Sequence, residues 1–220
     1  MSLLGLVLPS RCAGCAMPGP SLCQACRELL IRIAPPVCAR CGCPGAWPVL
    51  RCVECSGRRL GFARARAAVV YDAHARAIVS AWKERGRRDL APDLATVVAE
   101  VVARPAVDVV SCVPGDAERT RARSHVPAER LGRALAEGWD LPFAGILERV
   151  GTAPRQVRLP RAERRANVRG SFVAAARPPP TVVLVDDVYT TGATAAACAT
   201  VLRRAGARSV EVVCLARAVR

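Results

Sequence analysis

One short stretch of the chain, VVLVDDVYTTGAT at residues 182–194, combines residue types that suit two kinds of ligand group. Its four leading apolar residues predict a buried strand, and Asp186 and Asp187 follow where that strand would emerge. The residues beyond them predict a turn into a helix, with hydroxyl groups and backbone N–H groups directed at one point: Thr190, Thr191, Gly192, Ala193 and Thr194. A helix N-terminus of this kind favours a phosphate.

The two acids need a different partner from the threonines, because carboxylates and phosphate repel each other. They favour hydroxyl groups or a divalent cation, and a ligand with vicinal hydroxyls beside a phosphate is a ribose 5-phosphate. In a purely structural interpretation, Asp186 caps the turn and the threonines cap the helix. A phosphoacceptor aspartate pair is also open, but it would not need the threonines. The chain lacks GxxxxGK[ST] and has no GxGxxG after a strand, which excludes both of those phosphate loops.

A second constellation is a set of four CxxC pairs near the N-terminus: Cys12/Cys15, Cys23/Cys26, Cys38/Cys41 and Cys52/Cys55. This spacing lets both thiolates of a pair reach one tetrahedral zinc ion, and two pairs complete a four-sulfur site. Four pairs predict two structural zinc sites, in sequential or interleaved pairing, with Cys43 as a spare thiol that could displace a neighbour. The expected reducing compartment argues against disulfides. Iron–sulfur clusters normally have a different ligand spacing, and four CxxC copies in one short segment are hard to explain as redox motifs.

The composition changes near residue 60, so we predict a cysteine-rich zinc ribbon over residues 1–60 and a second domain over residues 61–220. Four β-branched stretches predict strands at 65–72, 107–113, 181–187 and 209–216. Helical patterns fall at 74–85, 89–103, 127–138 and 193–205, and Gly206 is placed to end the last helix. Strands that alternate with helices predict an α/β fold with a mainly parallel sheet and helices on both faces.

The chain is strongly basic, with a formal net charge of +15, although Lys83 is the only lysine among 33 basic residues. Such a charge favours anionic partners, but scattered arginine is mostly solvated surface and does not by itself indicate nucleic-acid binding. Residues 149–172 predict a long basic loop. The short apolar run at the N-terminus is a poor export signal and too short to span a bilayer, so we expect a cytoplasmic protein without membrane insertion.

The stretch at 182–194 resembles the signature of type I phosphoribosyltransferases. Together with the cysteine-rich N-terminus, the layout resembles the ComF competence-protein family over nearly the whole chain. YDAHARAIVSAWKERG at 71–86 and RQVRLPRAERRANVRGSF at 155–172 support the resemblance. The second of these segments is similar to the family pattern Q-x-x-L…R…N…G-x-F.

The resemblance implies that the protein binds phosphoribosyl pyrophosphate with Mg²⁺. Asp186 and Asp187 would hold the ribose hydroxyls as the catalytic pair, and residues 190–194 would hold the 5-phosphate. The pyrophosphate side would comprise Val113, Pro114, Lys83, Arg121 and Arg123. Arg164 and Asn167 would lie on a loop that closes over the site. Two positions depart from the family pattern, with Cys112 in place of proline and Ser124 in place of glycine.

Two functions follow from these expectations. The first is a Mg²⁺-dependent phosphoribosyltransferase with an acceptor that the sequence does not identify, linked to DNA uptake. The alternative is a non-catalytic component of the transformation machinery that binds single-stranded DNA and keeps the phosphoribosyl pyrophosphate site as a sensor or a relic. The ribbon could also bind a helicase or another competence protein.

Overall fold

A four-stranded parallel sheet forms the centre of the protein in the computed structural model, which describes residues 10–116, 120, 125–150 and 170–219. The strands in chain order are β1 (Arg64–Val70), β2 (Val109–Cys112), β3 (Leu147–Arg149), β4 (Phe172–Ala174), β5 (Thr181–Tyr189) and β6 (Ser209–Arg217). The main sheet has the order β1-β6-β5-β2, and all of its pairs are parallel. β3 and β4 form a separate antiparallel pair.

The helices are α1 (Gln24–Glu28), α2 (Ala73–Glu84), α3 (Ala91–Val101), α4 (Pro127–Gly138) and α5 (Ala193–Arg204). The four predicted strands and four predicted helices are confirmed, each within two residues at either end. Gly206 has a φ of 118° just beyond α5 and ends that helix as predicted. The short elements α1, β3 and β4 were not predicted, because segments of three to five residues carry too few positions for a periodicity to register.

Both faces of the sheet are covered, which explains the nearly unbroken apolar run of β5. Val183 and Val185 face a cluster that includes residues of α2, α3 and α4. Val182 and Leu184 face the opposite cluster, which includes residues of α5. The predicted α/β fold with helices on both faces is therefore confirmed.

The cysteine-rich segment contributes to both of these clusters. Cys12 and Cys26 belong to the cluster that contains Trp82, which is fully buried. Cys38 and Cys55 belong to the opposite cluster, together with Phe62. The predicted boundary at residue 60 stays a prediction, drawn from composition.

The carboxyl ends of β2 and β5 lie side by side, because the two strands are parallel neighbours. The backbone N–H of Val113 donates to the carbonyl of Val185 at 2.9 Å and extends this pairing past the end of β2. β5 then leads through a short turn into α5, so the N-terminus of α5 lies near the same edge of the sheet. Ligands of open α/β sheets bind at such an edge.

In the described part of the chain, the helices are too short or too polar to cross a lipid bilayer.

Candidate functional site

A cavity of about 410 Å³ lies at this edge and brings together seven residues that the sequence predicted as site residues: Lys83, Val113, Pro114, Asp186, Asp187, Thr190 and Thr194. These residues come from α2, from the turn after β2, from β5 and from the start of α5. They lie far apart in the sequence, and the parallel sheet brings them to one place. The remaining lining includes Tyr71, Asp116, Thr120, His125 and Arg149.

The acid pair lies at the floor of the cavity and is only partly accessible to solvent. The backbone N–H of Asp187 donates to Asp186 Oδ1 at 2.9 Å. Burial raises the pKa of the Asp186 carboxyl, the neighbouring charge of Asp187 raises it further, and Lys83 opposes both effects. Asp186 therefore holds a proton more tightly than an ordinary aspartate does.

Lys83, the only lysine of the chain, forms an ion pair with Asp187. Its Nζ lies 2.6 Å from Asp187 Oδ1, and both side chains are largely shielded from solvent. The sequence assigned Lys83 to the pyrophosphate side, and the structure pairs it with Asp187, which the resemblance assigned to the ribose. An ammonium group has three N–H donors, so this ion pair leaves donors for a second anionic partner.

The threonine turn, residues 190–194, divides into residues that line the cavity and residues that support it. Thr190 and Thr194 line the cavity. The Thr191 hydroxyl instead accepts a hydrogen bond from the N–H of Ala193 at 3.3 Å, so the capping role fits this residue. Thr191, Gly192 and Ala193 therefore shape the turn but do not line the cavity.

Gly192 has a φ of 68°, in the left-handed region that favours glycine. A Cβ atom at this position would lie 2.2 Å from the Tyr189 hydroxyl oxygen. The turn thus requires glycine for two independent reasons, its backbone conformation and its contact with the tyrosine ring below it.

The opposite wall is formed by the turn after β2. Val113 and Pro114 line it, and their assignment to the pyrophosphate side stays a prediction. The Val113 N–H is already bonded to Val185, so it is not free to contact a ligand. Four predicted residues lie outside the described residues: Arg121, Arg123, Arg164 and Asn167.

Sequence reasoning missed Tyr71 and Arg149, which both line the cavity. Tyr71 directly follows β1, so the rule that ligands bind at the carboxyl ends of parallel strands could have identified it. Arg149 ends β3, and its guanidinium lies 5.6 Å from the ring centroid of Phe172. Its Nε lies 3.8 Å from Asp116 Oδ2. A three-residue strand gave no signal from which that position could be predicted.

Two groups of four cysteines form candidate metal centres: Cys12, Cys15, Cys23 and Cys26, and Cys38, Cys41, Cys52 and Cys55. Within each group, all Sγ atoms lie within 4.8 Å of one another. The sequential pairing is therefore the one that the structure supports, and the interleaved pairing is not. Cys43 lies outside both groups.

The spacing of the sulfur atoms fits a tetrahedral zinc site. A Zn–S bond of about 2.3 Å places tetrahedral sulfurs about 3.8 Å apart. The Cys15–Cys23 and Cys38–Cys55 Sγ distances are 3.8 and 3.6 Å. The Cys41–Cys52 and Cys52–Cys55 distances are 3.4 and 3.9 Å. Both groups could thus hold zinc without rearrangement.

One thiol in each group is prepared for metal binding by backbone donors. Burial would raise the pKa of Cys12, but N–H groups that include those of Cys23, Cys15 and Gly14 lower it to about 6. Cys38 behaves in the same way, with a pKa of about 6. A thiolate is the form that binds zinc, so these N–H donors favour the ligating state.

Comparison with known proteins finds partial similarity to solved structures. The glutamine phosphoribosylpyrophosphate amidotransferase from B. subtilis is 25% identical over 58% of this chain and 26% of its own, with a TM-score of 0.39. The adenine phosphoribosyltransferase from Thermoanaerobacter pseudethanolicus is 15% identical over 64% of this chain and 85% of its own, with a TM-score of 0.36. The purine phosphoribosyltransferase from Pyrococcus horikoshii is 22% identical over 62% of this chain and 74% of its own, with a TM-score of 0.27.

The chain spans about a quarter of the length of the amidotransferase. No protein-family model matches the chain, and no curated protein matches it. These similarities are too weak to indicate an activity, so the function proposed below is based on the residues of the cavity.

We expect the purified protein to hold two zinc ions per chain, one in each cysteine group. Cys15→Ser and Cys52→Ser should each reduce the content to about one, because three thiolates bind zinc less tightly than four. Cys43→Ser is the matched control and should retain two ions. Elemental analysis by mass spectrometry measures the content, and a loss of zinc in Cys43→Ser would contradict the assigned groups.

The raised pKa of Asp186 predicts how stability depends on pH. The folded state binds this proton more tightly than the unfolded chain does, so the contribution is complete below the ordinary carboxyl pKa. It is lost as the pH rises through the raised folded value. Asp186→Asn removes the ionisation and keeps an oxygen acceptor for the Asp187 N–H. The variant should therefore exceed the wild type in free energy of unfolding by about 1–3 kcal/mol at pH 9.

Urea unfolding at pH 5 and pH 9 measures this difference. Both proteins carry the same cysteine groups, so their zinc-dependent terms cancel in the comparison. The advantage of the variant should be smaller at pH 5 than at pH 9. An advantage that stays constant or shrinks with rising pH would show that Asp186 titrates like a solvated aspartate.

Proposed function

We propose that the cavity binds phosphoribosyl pyrophosphate together with Mg²⁺, and that the protein transfers the phosphoribosyl group to an acceptor. One observation carries this proposal: a single cavity holds two carboxylates beside two threonines at a helix N-terminus. The carboxylates suit the vicinal hydroxyls of ribose, and the helix N-terminus suits the 5-phosphate. The type I phosphoribosyltransferase architecture is part of the same proposal.

The 5-phosphate would lie at the threonine turn. Thr190 and Thr194 supply hydroxyl donors there, and the dipole of α5 favours a negative charge at its N-terminus. The turn itself contributes hydroxyl donors and no carboxylate, since residues 188–194 contain no acid.

The ribose would lie over the acid pair. Asp186 would accept hydrogen bonds from the 2- and 3-hydroxyls more strongly when ionised, and its raised pKa means that binding of the ionised form would be coupled to proton release. Carboxylate oxygens beside substrate oxygens also suit Mg²⁺, which keeps most of its ligands from substrate and water. The ion would supply charge neutralisation for the pyrophosphate leaving group.

The reaction would be a displacement at the anomeric carbon. The bond from C1 to the pyrophosphate oxygen breaks, and its electron pair leaves with pyrophosphate. A lone pair of the acceptor forms the new bond to C1, and the acceptor loses its proton. Positive charge that develops on the ribose ring would be stabilised by Asp186 and Asp187, while Lys83 and Arg149 would favour the negative leaving group.

A second candidate function is binding of single-stranded DNA without catalysis. The net charge of +15 favours it, and so does an exposed patch on the second half of the ribbon. Trp47 is 77% exposed and Leu50 is 84% exposed, and Arg51 lies beside them in the chain. An exposed aromatic ring and a cation can stack with a base and contact a phosphate. The link to DNA uptake, the helicase partner and the cytoplasmic location rest on the sequence expectations alone.

Calorimetric titration of the zinc-loaded protein with phosphoribosyl pyrophosphate, with and without Mg²⁺, tests the first function. Binding should require Mg²⁺, and Asp186→Asn/Asp187→Asn should weaken it by about 100-fold, because charged hydrogen-bond acceptors are lost. Asp108→Asn is the matched control, since Asp108 is an exposed acid bonded to Thr181 at the opposite end of β5. It should bind like the wild type.

Absence of Mg²⁺-dependent binding in the wild type would contradict the proposal. Binding of an oligothymidylate that falls steeply with added salt would then favour the second function.

A further inference from the structure

We propose that the second cysteine group (Cys38, Cys41, Cys52 and Cys55) holds the threonine turn in shape through two arginines. In this view Arg58 and Arg217 are positioning residues of the ligand site. Any effect of these arginines on ligand affinity rests on the proposed function, whereas their contacts with the turn do not depend on it.

The first contact is made by Arg58, three residues after Cys55. Its backbone N–H donates to the Cys55 carbonyl at 3.3 Å, so its own position is tied to the cysteine group. Its side chain donates through Nη1 to the Glu54 carbonyl at 3.2 Å. Its Nη2 donates to the Thr191 carbonyl at 2.7 Å. One guanidinium therefore joins the loop of the cysteine group to the threonine turn.

The second contact is made by Arg217 at the end of β6, which is only 1% exposed. Its Nη1 donates to the Cys41 carbonyl at 2.7 Å. Its Nη2 donates to Glu54 Oε2 at 2.6 Å. Burying a guanidinium is costly unless its donors are paired. Cys41 and Glu54, which lies between Cys52 and Cys55 in the chain, accept from the two Nη atoms, whereas Nε has no hydrogen-bond partner among the described residues. The place of Arg217 thus depends on the fold of that group.

Arg217 reaches the turn through Tyr189. The two residues are register neighbours on β6 and β5. The guanidinium lies 4.5 Å from the centroid of the Tyr189 ring, close enough for a cation–π contact. The Tyr189 hydroxyl lies directly under Gly192, as the Cβ distance above shows. That hydroxyl has no hydrogen-bond partner among the described residues, so packing rather than hydrogen bonding fixes the ring.

The first cysteine group has different neighbours. The carbonyl of Cys26 lies 2.9 Å from His74 Nε2 on α2, and Ser21 donates to Asp93 on α3 at 2.7 Å. In the described ranges, no hydrogen bond or ion pair joins this group to residues 190–194. The two groups are alike in chemistry, but among the described residues the hydrogen bond to the threonine turn comes from the loop of the second group.

It follows that the second group supports the phosphate cradle, while the first supports the helical layer. A turn that binds an anion must hold its N–H groups in place before the ligand arrives, and a loop held only by its own backbone would not do so. Cys52 and Cys55 would hold a metal ion together with Cys38 and Cys41, and this ligation would fix the 52–58 loop and, through its contacts, the two arginines.

Amide hydrogen exchange of the full-length, zinc-loaded protein tests this inference without any ligand. The reporters are the amides of Ala193 and Ala196, which are bonded to Thr191 Oγ1 and to the Gly192 carbonyl. Arg58→Ala should speed their exchange about tenfold, the effect of losing one charged hydrogen bond on local opening. Because this hydrogen bond is also absent from the unfolded chain, the midpoint of urea unfolding should fall by a corresponding amount, and Arg58→Lys should restore part of the protection.

Arg59→Ala is the matched control, because Arg59 is the exposed neighbour in the same loop. It should leave the exchange of both amides as in the wild type. Equal exchange in Arg58→Ala and Arg59→Ala would overturn the inference, as would acceleration spread evenly over β5 and α5.

Two cysteine variants separate the roles of the groups. Cys52→Ser should accelerate exchange at Ala193, and Cys15→Ser should not. Faster exchange at Ala193 in Cys15→Ser alone, or equally faster exchange in both variants, would overturn the inference. If the wild type fails to bind phosphoribosyl pyrophosphate, the proposed function fails, but these exchange rates still decide the positioning role.

Discussion

The repulsion between two adjacent carboxylates at the end of a buried strand is the constraint on which the site depends. Asp186 and Asp187 lie where β5 leaves the core, with restricted access to water, and burial and mutual repulsion raise the pKa of Asp186. Lys83 offsets part of that cost through its ion pair with Asp187. The proposed ligand, with its hydroxyl groups and divalent cation, would offset the rest.

The remainder of the fold places the proposed phosphate-binding groups next to this pair. β5 is buried on both faces, and the tight turn at Gly192 starts α5 within a few residues of the acids. The turn rests on the Tyr189 ring and is held at Thr191 by Arg58. The cysteine-rich segment is therefore continuous with the site through packing and hydrogen bonds, since its residues belong to both hydrophobic clusters.

Local patterns in the sequence were enough to predict the main elements and the centre of the site. The 127–138 helix and the start of α5 at Ala193 follow from apolar periodicity and turn residues, and the CxxC spacing predicts the cysteine groups. Tertiary contacts could not be predicted in the same way. The pairing of Lys83 with Asp187 depends on how α2 packs across the sheet, and Arg149 reaches the cavity from a strand too short to show a pattern.

A crystal structure of the zinc-loaded protein with phosphoribosyl pyrophosphate and Mg²⁺ would locate each ligand group in the cavity. We expect the 5-phosphate between Thr190 and Thr194 and the ribose hydroxyls on Asp186 and Asp187. Ligand density elsewhere on the protein, or a phosphate placed away from the threonine turn under saturating ligand, would contradict this proposal.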